Sequence, residues 1–352
     1  MKPLKFNISL LLFLLLWSCS LSTRAEKFTK ELSQVYSAAQ GTQLIIENKY
    51  GDININNWDK DSVDIQITIT VDTYSEEKAQ SLLDNIKVMM SHSGNNIKAI
   101  TEMSHKFKTG KKFSIDYQIY MPDYVKIDLK NKFGNIYVHN IRAKANIDLS
   151  YGNLKGDSFL YPQEKPLSTI NLAYSKATIT ESNRTKLTMK YSTMNIGTSE
   201  VLIVVSRFSK LHLDNNISVI ADSKYDNFSI RNTDVFMVTM GQFSDFKIDQ
   251  VNKKLDLELR YGNCKVGYIP KDFEEININN EYISTSLGID PEASYLLEAE
   301  TKFCGVSYPE DSKTITKMVE SSKTTIEAII GQNEAPQSKV RIFSKFGNVS
   351  LK

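Results

Sequence analysis

The octapeptide Asn48-Lys-Tyr-Gly-Asp-Ile-Asn-Ile55 decides the fold, because copies of it return along most of the chain. The clearest copies are Asn131-Lys-Phe-Gly-Asn-Ile-Tyr-Val138, Leu259-Arg-Tyr-Gly-Asn-Cys-Lys-Val266 and Ser344-Lys-Phe-Gly-Asn-Val-Ser-Leu351. More divergent copies are centred on Tyr151, Tyr174, Tyr191, Phe208, Tyr225, Phe243, Tyr282 and Phe303. From Phe133 to Phe303 the aromatic residues are 17 to 23 positions apart, a period that is typical of solenoid proteins.

The residues around each aromatic position alternate in polarity. With the aromatic residue as position zero, aliphatic residues recur at positions −4, +3 and +5, and Gly, Ser, Asp or Asn follow the aromatic residue. This pattern predicts a strand that turns a corner after the aromatic residue, with positions −4, zero, +3 and +5 facing the interior. We therefore expect the rings to stack as part of the core, and a surface that stacks on carbohydrate is the less favoured alternative.

The length of the repeat limits the choice of fold. A unit of about 17 to 21 residues is too short for a strand plus a helix and too regular for hairpins. It predicts an all-β protein, a parallel β-helix (solenoid) in which each coil adds one rung to parallel sheets. The alternative is an antiparallel sandwich, whose strands would recur every 8 to 12 residues or so.

Residues 1–25 have the pattern of a secretory signal peptide. Lys2 and Lys5 precede an apolar run from Ile8 to Trp17, and Thr23-Arg-Ala25 provides a small residue at the usual cleavage distance. We expect export to the periplasm, the cell surface or the medium. Acylation of Cys19 as in a bacterial lipoprotein is the less favoured alternative.

Cleavage after Ala25 would change the charge balance. Loss of Lys2, Lys5 and Arg24 leaves 40 Lys plus Arg against 41 Asp plus Glu, so the mature chain is nearly neutral. Nothing in this balance favours nucleic acid or an anionic membrane surface as a partner. No later run approaches the roughly 18 apolar residues of a membrane span, so we expect no transmembrane helix.

The rest of the chain divides into four regions. We assign residues 26–57 to the first strands and first coil, 58–125 to a small α+β insertion that caps the rod, 126–308 to the β-helix coils, and 309–352 to a loop and a closing coil.

Local patterns fill in the two irregular regions. The sequence Thr73-Tyr-Ser-Glu76 has the form of a capping box and predicts a helix through Asn85. Strands are predicted over residues 63–71, 86–91, 97–103, 113–120, 324–330 and the final 340–351. Residues 309–322 are polar and predict a protruding loop.

Two cysteines follow the leader, Cys264 at position +3 and Cys304 at position +1 of a coil two rungs further on. Two rungs separate their backbones by about 9 to 10 Å, which exceeds the roughly 7 Å that a disulfide allows. We therefore predict two unpaired thiols, with Cys264 buried and Cys304 the more accessible.

No pattern of chemistry-bearing residues predicts catalysis. The four histidines are scattered, and no metal-binding, cofactor-binding or phosphate-binding motif is present. Asp148, Glu258 and Glu300 take comparable outward positions, but several coils separate them, so a paired-carboxylate site is not expected. We predict no catalytic, cofactor or metal residues, with a polysaccharide-active enzyme as the less favoured alternative.

Position −1 is basic in eight of twelve coils. These residues are Lys49, Lys132, Lys190, Arg207, Lys224, Arg260, Lys302 and Lys345. Stacked coils would align Lys190, Arg207 and Lys224, with Arg260 further along, as a candidate site for an acidic glycan or envelope polymer. The alternative is a solvated face whose cations pair with nearby acids and prevent edge association.

The opening motif Asn48–Ile55, the following Trp58-Asp-Lys-Asp61 and the closing Ser344–Leu351 resemble the bacterial putative-adhesin family of unknown function. They are also similar to the related head-GIN domains, described as autotransporter-adhesin-like. The resemblance extends from about Thr29 to Lys352, and it implies an exported right-handed parallel β-helix without catalytic residues.

The expected function is adhesin-like binding of a glycan, an envelope component or a protein through an extended lateral surface. A structural envelope scaffold without a ligand is the alternative. Neither the ligand nor the oligomeric state follows from these patterns.

Overall fold

The computed structural model describes residues 26–104, 107, 109–162, 166–310 and 312–352. The predicted signal peptide and the acylation of Cys19 concern residues outside this part of the chain. The described residues form 23 strands, joined in one hydrogen-bonded sheet, and one short α-helix. The all-β prediction is confirmed.

The N-terminal third contains nine strands and the helix. They are β1 (Glu26–Ser37), β2 (Gln43–Lys49), β3 (Ile53–Asn57), β4 (Ser62–Thr73), helix α1 (Glu76–Asp84), β5 (Ile86–Ser93), β6 (Asn96–Met103), β7 (Phe113–Met121), β8 (Lys126–Lys132) and β9 (Ile136–Ile141). The strands predicted in residues 58–125 are all present.

The middle and C-terminal parts contain the remaining strands. They are β10 (Ala145–Ser150), β11 (Asn153–Phe159), β12 (Ser168–Ala173), β13 (Lys176–Lys190), β14 (Thr193–Arg207), β15 (Lys210–Lys224), β16 (Asn227–Ile269), β17 (Glu275–Ile289), β18 (Tyr295–Lys302), β19 (Val306–Ser307), β20 (Lys313–Val319), β21 (Lys323–Ile330), β22 (Ser338–Lys345) and β23 (Val349–Leu351).

Helix α1 begins later than predicted. Its N-cap is Ser75, whose hydroxyl accepts a hydrogen bond from the backbone N–H of Lys78. Thr73 is instead the last residue of β4, where its side chain is buried. The capping box predicted from Thr73 to Glu76 is therefore wrong, because burial holds Thr73 in the strand and leaves the capping role to Ser75.

The region of residues 58–125 extends the sheet beyond the first repeat. Strands β6 and β7 pair in parallel with β2 and β3, whose other edges pair with β8 and β9. Strand β4 pairs antiparallel with β7, and β1 pairs antiparallel with β4. The backbone N–H and C=O groups at the free edges of β2 and β3 are thereby paired.

Consecutive repeats in the middle of the chain pair in parallel, with equivalent positions opposite one another. Lys190 lies opposite Arg207, and Arg207 lies opposite Lys224. The backbone N–H of Tyr191 donates to the carbonyl oxygen of Arg207 at 3.1 Å, so the hydrogen bonding continues through the corner. Neighbouring repeats therefore lie one strand spacing apart, about 4.8 Å.

The core contains the aliphatic positions that the repeat pattern predicted. In the repeat centred on Tyr191, Leu187, Met194 and Ile196 are at most 2% exposed. The residue at position +1, here Ser192, is also buried at 5% exposure. Positions −4, +1, +3 and +5 thus face inward in this repeat.

The aromatic position does not face inward, and that prediction is wrong. All twelve aromatic residues have positive φ angles, between 50° and 61°, and their exposed fractions range from 38% at Tyr50 to 63% at Phe303. A residue in the left-handed conformation interrupts the alternation of a strand, so its side chain points outward. Position +1 then takes the inward place that the pattern had assigned to the ring.

The C-terminal segment lies inside the sheet and does not close its end. Strand β22 pairs in parallel with β17 on one side and with β18 on the other. Strand β21 pairs antiparallel with β18, and β20 with β21. Residues 313–319 are therefore a strand where a polar loop was predicted, and the hairpin of β20 and β21 forms the outermost layer.

Both described cysteines are unpaired, as predicted. Cys264 is fully buried, and burial raises the pKa of its thiol to about 12. Cys304 is partly exposed, and its Sγ lies 3.5 Å from the carbonyl oxygen of Ser344.

We expect native-state alkylation with iodoacetamide at neutral pH to modify Cys304 and to leave Cys264 unmodified, because only an accessible thiol yields a reactive thiolate. Peptide mass spectrometry after brief labelling measures both sites. Labelling of Cys264 at the rate of Cys304 would contradict the burial described above.

Candidate binding face

Twelve exposed rings form one continuous stack, which we call the aromatic ladder. In spatial order its members are Tyr50, Phe133, Tyr151, Tyr174, Tyr191, Phe208, Tyr225, Phe243, Tyr261, Tyr282, Phe346 and Phe303. Neighbouring ring centroids are 4.7 to 5.1 Å apart, and the interplanar angles are 1° to 19°. Each inner ring is packed between two others, so the ladder presents ring edges to solvent and covers the ring faces.

A row of buried polar side chains at position +1 supports the middle of the ladder. It consists of Ser175, Ser192, Ser209, Asp226 and Ser244. Ser209 Oγ accepts a hydrogen bond from the backbone N–H of Ser192 at 3.0 Å and donates to the carbonyl oxygen of Arg207 at 2.9 Å. This row satisfies backbone groups at the corner that the left-handed aromatic residues would otherwise leave unpaired.

Asp226 is the charged member of this row. Its carboxylate accepts hydrogen bonds from the backbone N–H groups of Ser209 and Lys224 and from the hydroxyl of Ser223, at 2.7 to 2.9 Å. Burial raises the pKa of Asp226, and these hydrogen bonds offset only part of that effect. The folded state therefore favours the protonated carboxyl more than the unfolded chain does.

Substituting Asp226→Ser should remove a pH dependence of stability. Because the folded pKa lies above the unfolded pKa, the contribution of this group is highest below the unfolded value, about 3.9, and is lost as pH rises through the folded value. We expect the free energy of unfolding of the wild type to fall relative to that of the variant as pH rises above about 4. Urea denaturation across this range measures the difference.

The exposed Asp245→Ser variant, at the same corner of the next repeat, controls for loss of a surface carboxylate. A wild-type stability that rises with pH relative to Asp226→Ser would contradict the assigned direction.

The structure brings together three of the four predicted ligand-binding residues. Lys190 Nζ and Lys224 Nζ lie 5.9 and 5.5 Å from the ring centroids of the tyrosines that follow them, and Arg207 lies between the two lysines. Arg207 also pairs with Asp222 at 2.9 Å. Arg260 is separated from Lys224 by the repeat containing Gln242 and pairs with Glu281, so it lies apart from the other three.

A second row of cations on the other side of the ladder was missed. Lys176 and Lys210 occupy position +2, two residues after Tyr174 and Phe208, and both are exposed. The signal was present in Tyr174-Ser-Lys and Phe208-Ser-Lys, at a position that is basic in fewer repeats than position −1.

The two lysines at position +2 and five rings of the ladder line a shallow groove of about 960 Å³, which we call the aromatic groove. Its lining residues include Tyr151, Tyr174, Tyr191, Phe208, Tyr225, Lys176 and Lys210. The groove runs along five consecutive repeats and is open at the surface. This shape suits an extended ligand better than a compact one.

The three acids considered for catalysis do not meet. Glu258 lies opposite Asn279 in β17, and both β17 and β22 separate it from Glu300 in β18. Asp148 lies between Lys130 and Asn171 in the N-terminal half. Lys323 and Lys302 lower the pKa of the Glu300 carboxyl by binding it at 3.0 and 3.2 Å.

A second groove, of about 500 Å³, lies near the C-terminal end of the sheet. Arg341 lines it and pairs with Glu275 at 2.6 Å and with Glu298 at 3.1 Å, so its charge is balanced within the protein. Across the described ranges, no three His, Cys, Asp or Glu side chains are grouped to hold a metal ion. Within those same ranges, no helix has the length and apolarity to cross a membrane.

Comparison with known proteins gives matches to solved structures alone, since no family model and no curated protein matches the chain. A putative cell adhesion protein from Clostridium sporogenes matches at 11% identity and a TM-score of 0.21, over 92% of this chain and 99% of that one. A putative adhesin from Bacteroides fragilis matches at 10% identity and a TM-score of 0.30, over 92% and 97%. A putative lipid binding protein from Parabacteroides distasonis matches at 10% identity and a TM-score of 0.30, over 93% and 97%. At these values the matches do not establish the family or the function.

Proposed function

We propose that the protein is an exported, non-catalytic parallel β-helix that binds a glycan, envelope component or protein through its lateral surface. In this adhesin-like role the binding surface is the aromatic ladder with its flanking cations. The observation that carries the proposal is the exposure of twelve stacked aromatic side chains along one side of the sheet.

The parallel pairing of consecutive repeats supports the β-helix. Strands β13, β14 and β15 are each 15 residues long and pair in the same register through both halves of the repeat. A sandwich of up-and-down hairpins would pair sequential strands antiparallel. In a stack of parallel repeats, each repeat contacts only its two neighbours, so the long sides of the stack remain free to bind a ligand.

The composition of the ladder supports its use as a surface. Mostly aliphatic residues fill the buried positions −4, +3 and +5, whereas the exposed position zero is occupied by seven tyrosines and five phenylalanines. A contiguous exposed apolar strip is uncommon on soluble proteins and marks sites of interaction. The lysines beside it add a charge that can orient a ligand.

A structural scaffold is the second candidate, and the stacking itself favours it. Every inner ring contacts two neighbours at about 5 Å, so the ladder also stabilises the stack of repeats without any ligand. Binding and stabilisation are separable, because a substitution beside the ladder can alter the surface and leave the rings in place.

Binding to an array of neutral and acidic glycans and to isolated envelope fractions tests the proposal. We expect the purified protein to bind at least one class of these ligands. The variant with Lys190, Arg207, Lys224 and Arg260 changed to Ala should bind that class more weakly. Absence of binding to glycans, envelope fractions and envelope proteins would favour the scaffold. Release of soluble sugar from envelope polysaccharide would overturn the non-catalytic assignment.

A further inference from the structure

We propose that the aromatic groove binds an unbranched acidic polysaccharide whose chain runs along the aromatic ladder. This inference rests on the proposed lateral binding and adds the class of ligand and its orientation. Carboxylate or sulfate groups of the polymer pair with lysines on both sides of the ladder, and its hydroxyl groups bind the tyrosine hydroxyls.

The charges on the two sides of the ladder have one dominant sign: two of the five cations line the groove, and the other three lie across the ladder from it. Lys190, Arg207 and Lys224 follow one side of the ladder in consecutive repeats, and Lys176 and Lys210 follow the other side. None of the four lysines forms an ion pair with a described residue, so their charges are available to a ligand.

Two acids lie close to these cations, and neither neutralises the groove. Asp222, at position −3 of its repeat, forms an ion pair with Arg207. Asp226 is buried beneath the ladder, and its carboxylate accepts hydrogen bonds from backbone N–H groups. The cationic stretch ends in the next repeat, where Gln242 and Asp245 take positions −1 and +2. The five cations therefore form a bounded patch on a nearly neutral protein, and this patch is complementary to a polyanion.

The geometry of the rings favours a polysaccharide over nucleic acid. Single-stranded nucleic acid gains affinity by stacking bases on aromatic faces, but neighbouring rings cover both faces of every inner ring of the ladder. The edges carry phenol hydroxyls at Tyr151, Tyr174, Tyr191 and Tyr225, and none of these binds another described residue. A ligand rich in hydroxyl groups can use these phenols as donors and acceptors.

The spacing of the groove favours a polymer with a regular repeat. Equivalent groups recur at the strand spacing, about 4.8 Å, along five repeats. A linear chain can contact the same kind of residue in successive repeats, whereas a compact ligand would use only one or two of them. Many weak contacts in series then give useful affinity.

Binding of polygalacturonate, dextran sulfate, neutral dextran and single-stranded DNA, measured by biolayer interferometry at several salt concentrations, tests the inference. We expect the two acidic polysaccharides to bind, with an affinity that falls as salt rises, and neutral dextran not to bind. Changing Lys176, Lys190, Lys210 and Lys224 to Gln should weaken binding by roughly tenfold or more. The matched control changes Lys87, Lys98, Lys317 and Lys339 to Gln, four exposed lysines away from the ladder, and should retain binding.

Two further variants test the role of the phenols while keeping every ring. We expect the Tyr174→Phe and Tyr191→Phe double variant to bind the acidic polysaccharides several-fold more weakly. Phe208→Tyr adds a phenol between Tyr191 and Tyr225 and should tighten binding. Circular dichroism and thermal unfolding confirm that the rings remain stacked and the fold is unchanged.

The possible failures are distinguishable. Stronger binding to DNA than to either acidic polysaccharide would overturn the inference, as would equal loss of binding in both lysine variants. Binding confined to neutral glycans or to an envelope protein would overturn the acidic ligand and leave the proposed lateral binding intact. Absence of binding to every probe and to envelope material would contradict both the acidic polysaccharide ligand and the proposed lateral binding.

Discussion

Gly134→Ser is expected to destabilise the protein by about 3 kcal/mol or more, although serine occupies the equivalent position of other repeats. A Cβ atom on Gly134 would lie 1.9 Å from the carbonyl oxygen of Gly51 and 2.6 Å from its carbonyl carbon. Backbone atoms of a paired strand cannot move aside, so the corner must separate from its neighbour. Urea or guanidinium denaturation measures the loss.

Gly110→Ser is the matched control for this substitution. No atom of the described residues lies within 4 Å of a Cβ built on Gly110, and its φ angle is not positive, so little change in stability is expected. Equal stability of the Gly134→Ser and Gly110→Ser variants would contradict the close approach of the corners at Gly51 and Gly134.

Tyr191→Ala is expected to destabilise the protein by about 2 to 4 kcal/mol, and Tyr191→Gly by about 1 kcal/mol less. Both variants lose stacking against Tyr174 and Phe208, whose ring centroids lie 5.0 Å from that of Tyr191. Tyr191 has a φ of 50°, a conformation that alanine resists and glycine adopts freely. Denaturant unfolding of the two variants measures the order of their stabilities.

The opposite order is expected at Ser229, an exposed strand position in β16. There Ser229→Gly should be less stable than Ser229→Ala by about 0.5 to 1 kcal/mol, because glycine loses more backbone entropy on folding. A Tyr191→Ala variant more stable than Tyr191→Gly would show that the left-handed conformation carries no cost at the corner.

The repeat pattern was sufficient to predict the all-β class and the pairing of equivalent positions. Aliphatic residues such as Leu187 and Ile196 recur at fixed distances from the aromatic position, and burial requires those distances to be kept. The same pattern predicted Cys264 as a core residue. These features depend on side-chain polarity at regular spacing, which a sequence displays directly.

The orientation of the rings could not be obtained from alternation alone. Counting two residues per step through the corner assumes that position zero has strand geometry, and the left-handed conformation of residues such as Tyr191 breaks that assumption. The sequence did contain one indication that the rings point outward: no aliphatic residue occupies position zero in any of the twelve repeats. A buried position would be expected to admit leucine or isoleucine.

The candidate site was predicted in part. The cations at position −1 were identified because they recur beside an obvious marker, and Lys190, Arg207 and Lys224 do lie together. The row containing Lys176 and Lys210 was missed, because its relation to the ladder depends on which way the rings point. Arg260 was included on spacing alone, although its ion pair with Glu281 sets it apart.

The order of the strands in the sheet differs from their order in the sequence at β22, which follows both β17 and β18 in the chain but lies between them. Residues 338–345 lie between β17 and β18, so two segments made earlier are bridged by a segment that is made after both. Until residues 338–345 have been made, β17 and β18 have no common neighbour, and the hairpin of β20 and β21 is joined to β18 alone. Assembly of this part of the sheet must therefore follow synthesis of residues 338–345, and deletion of residues 338–352 would detach strands that precede them in the chain.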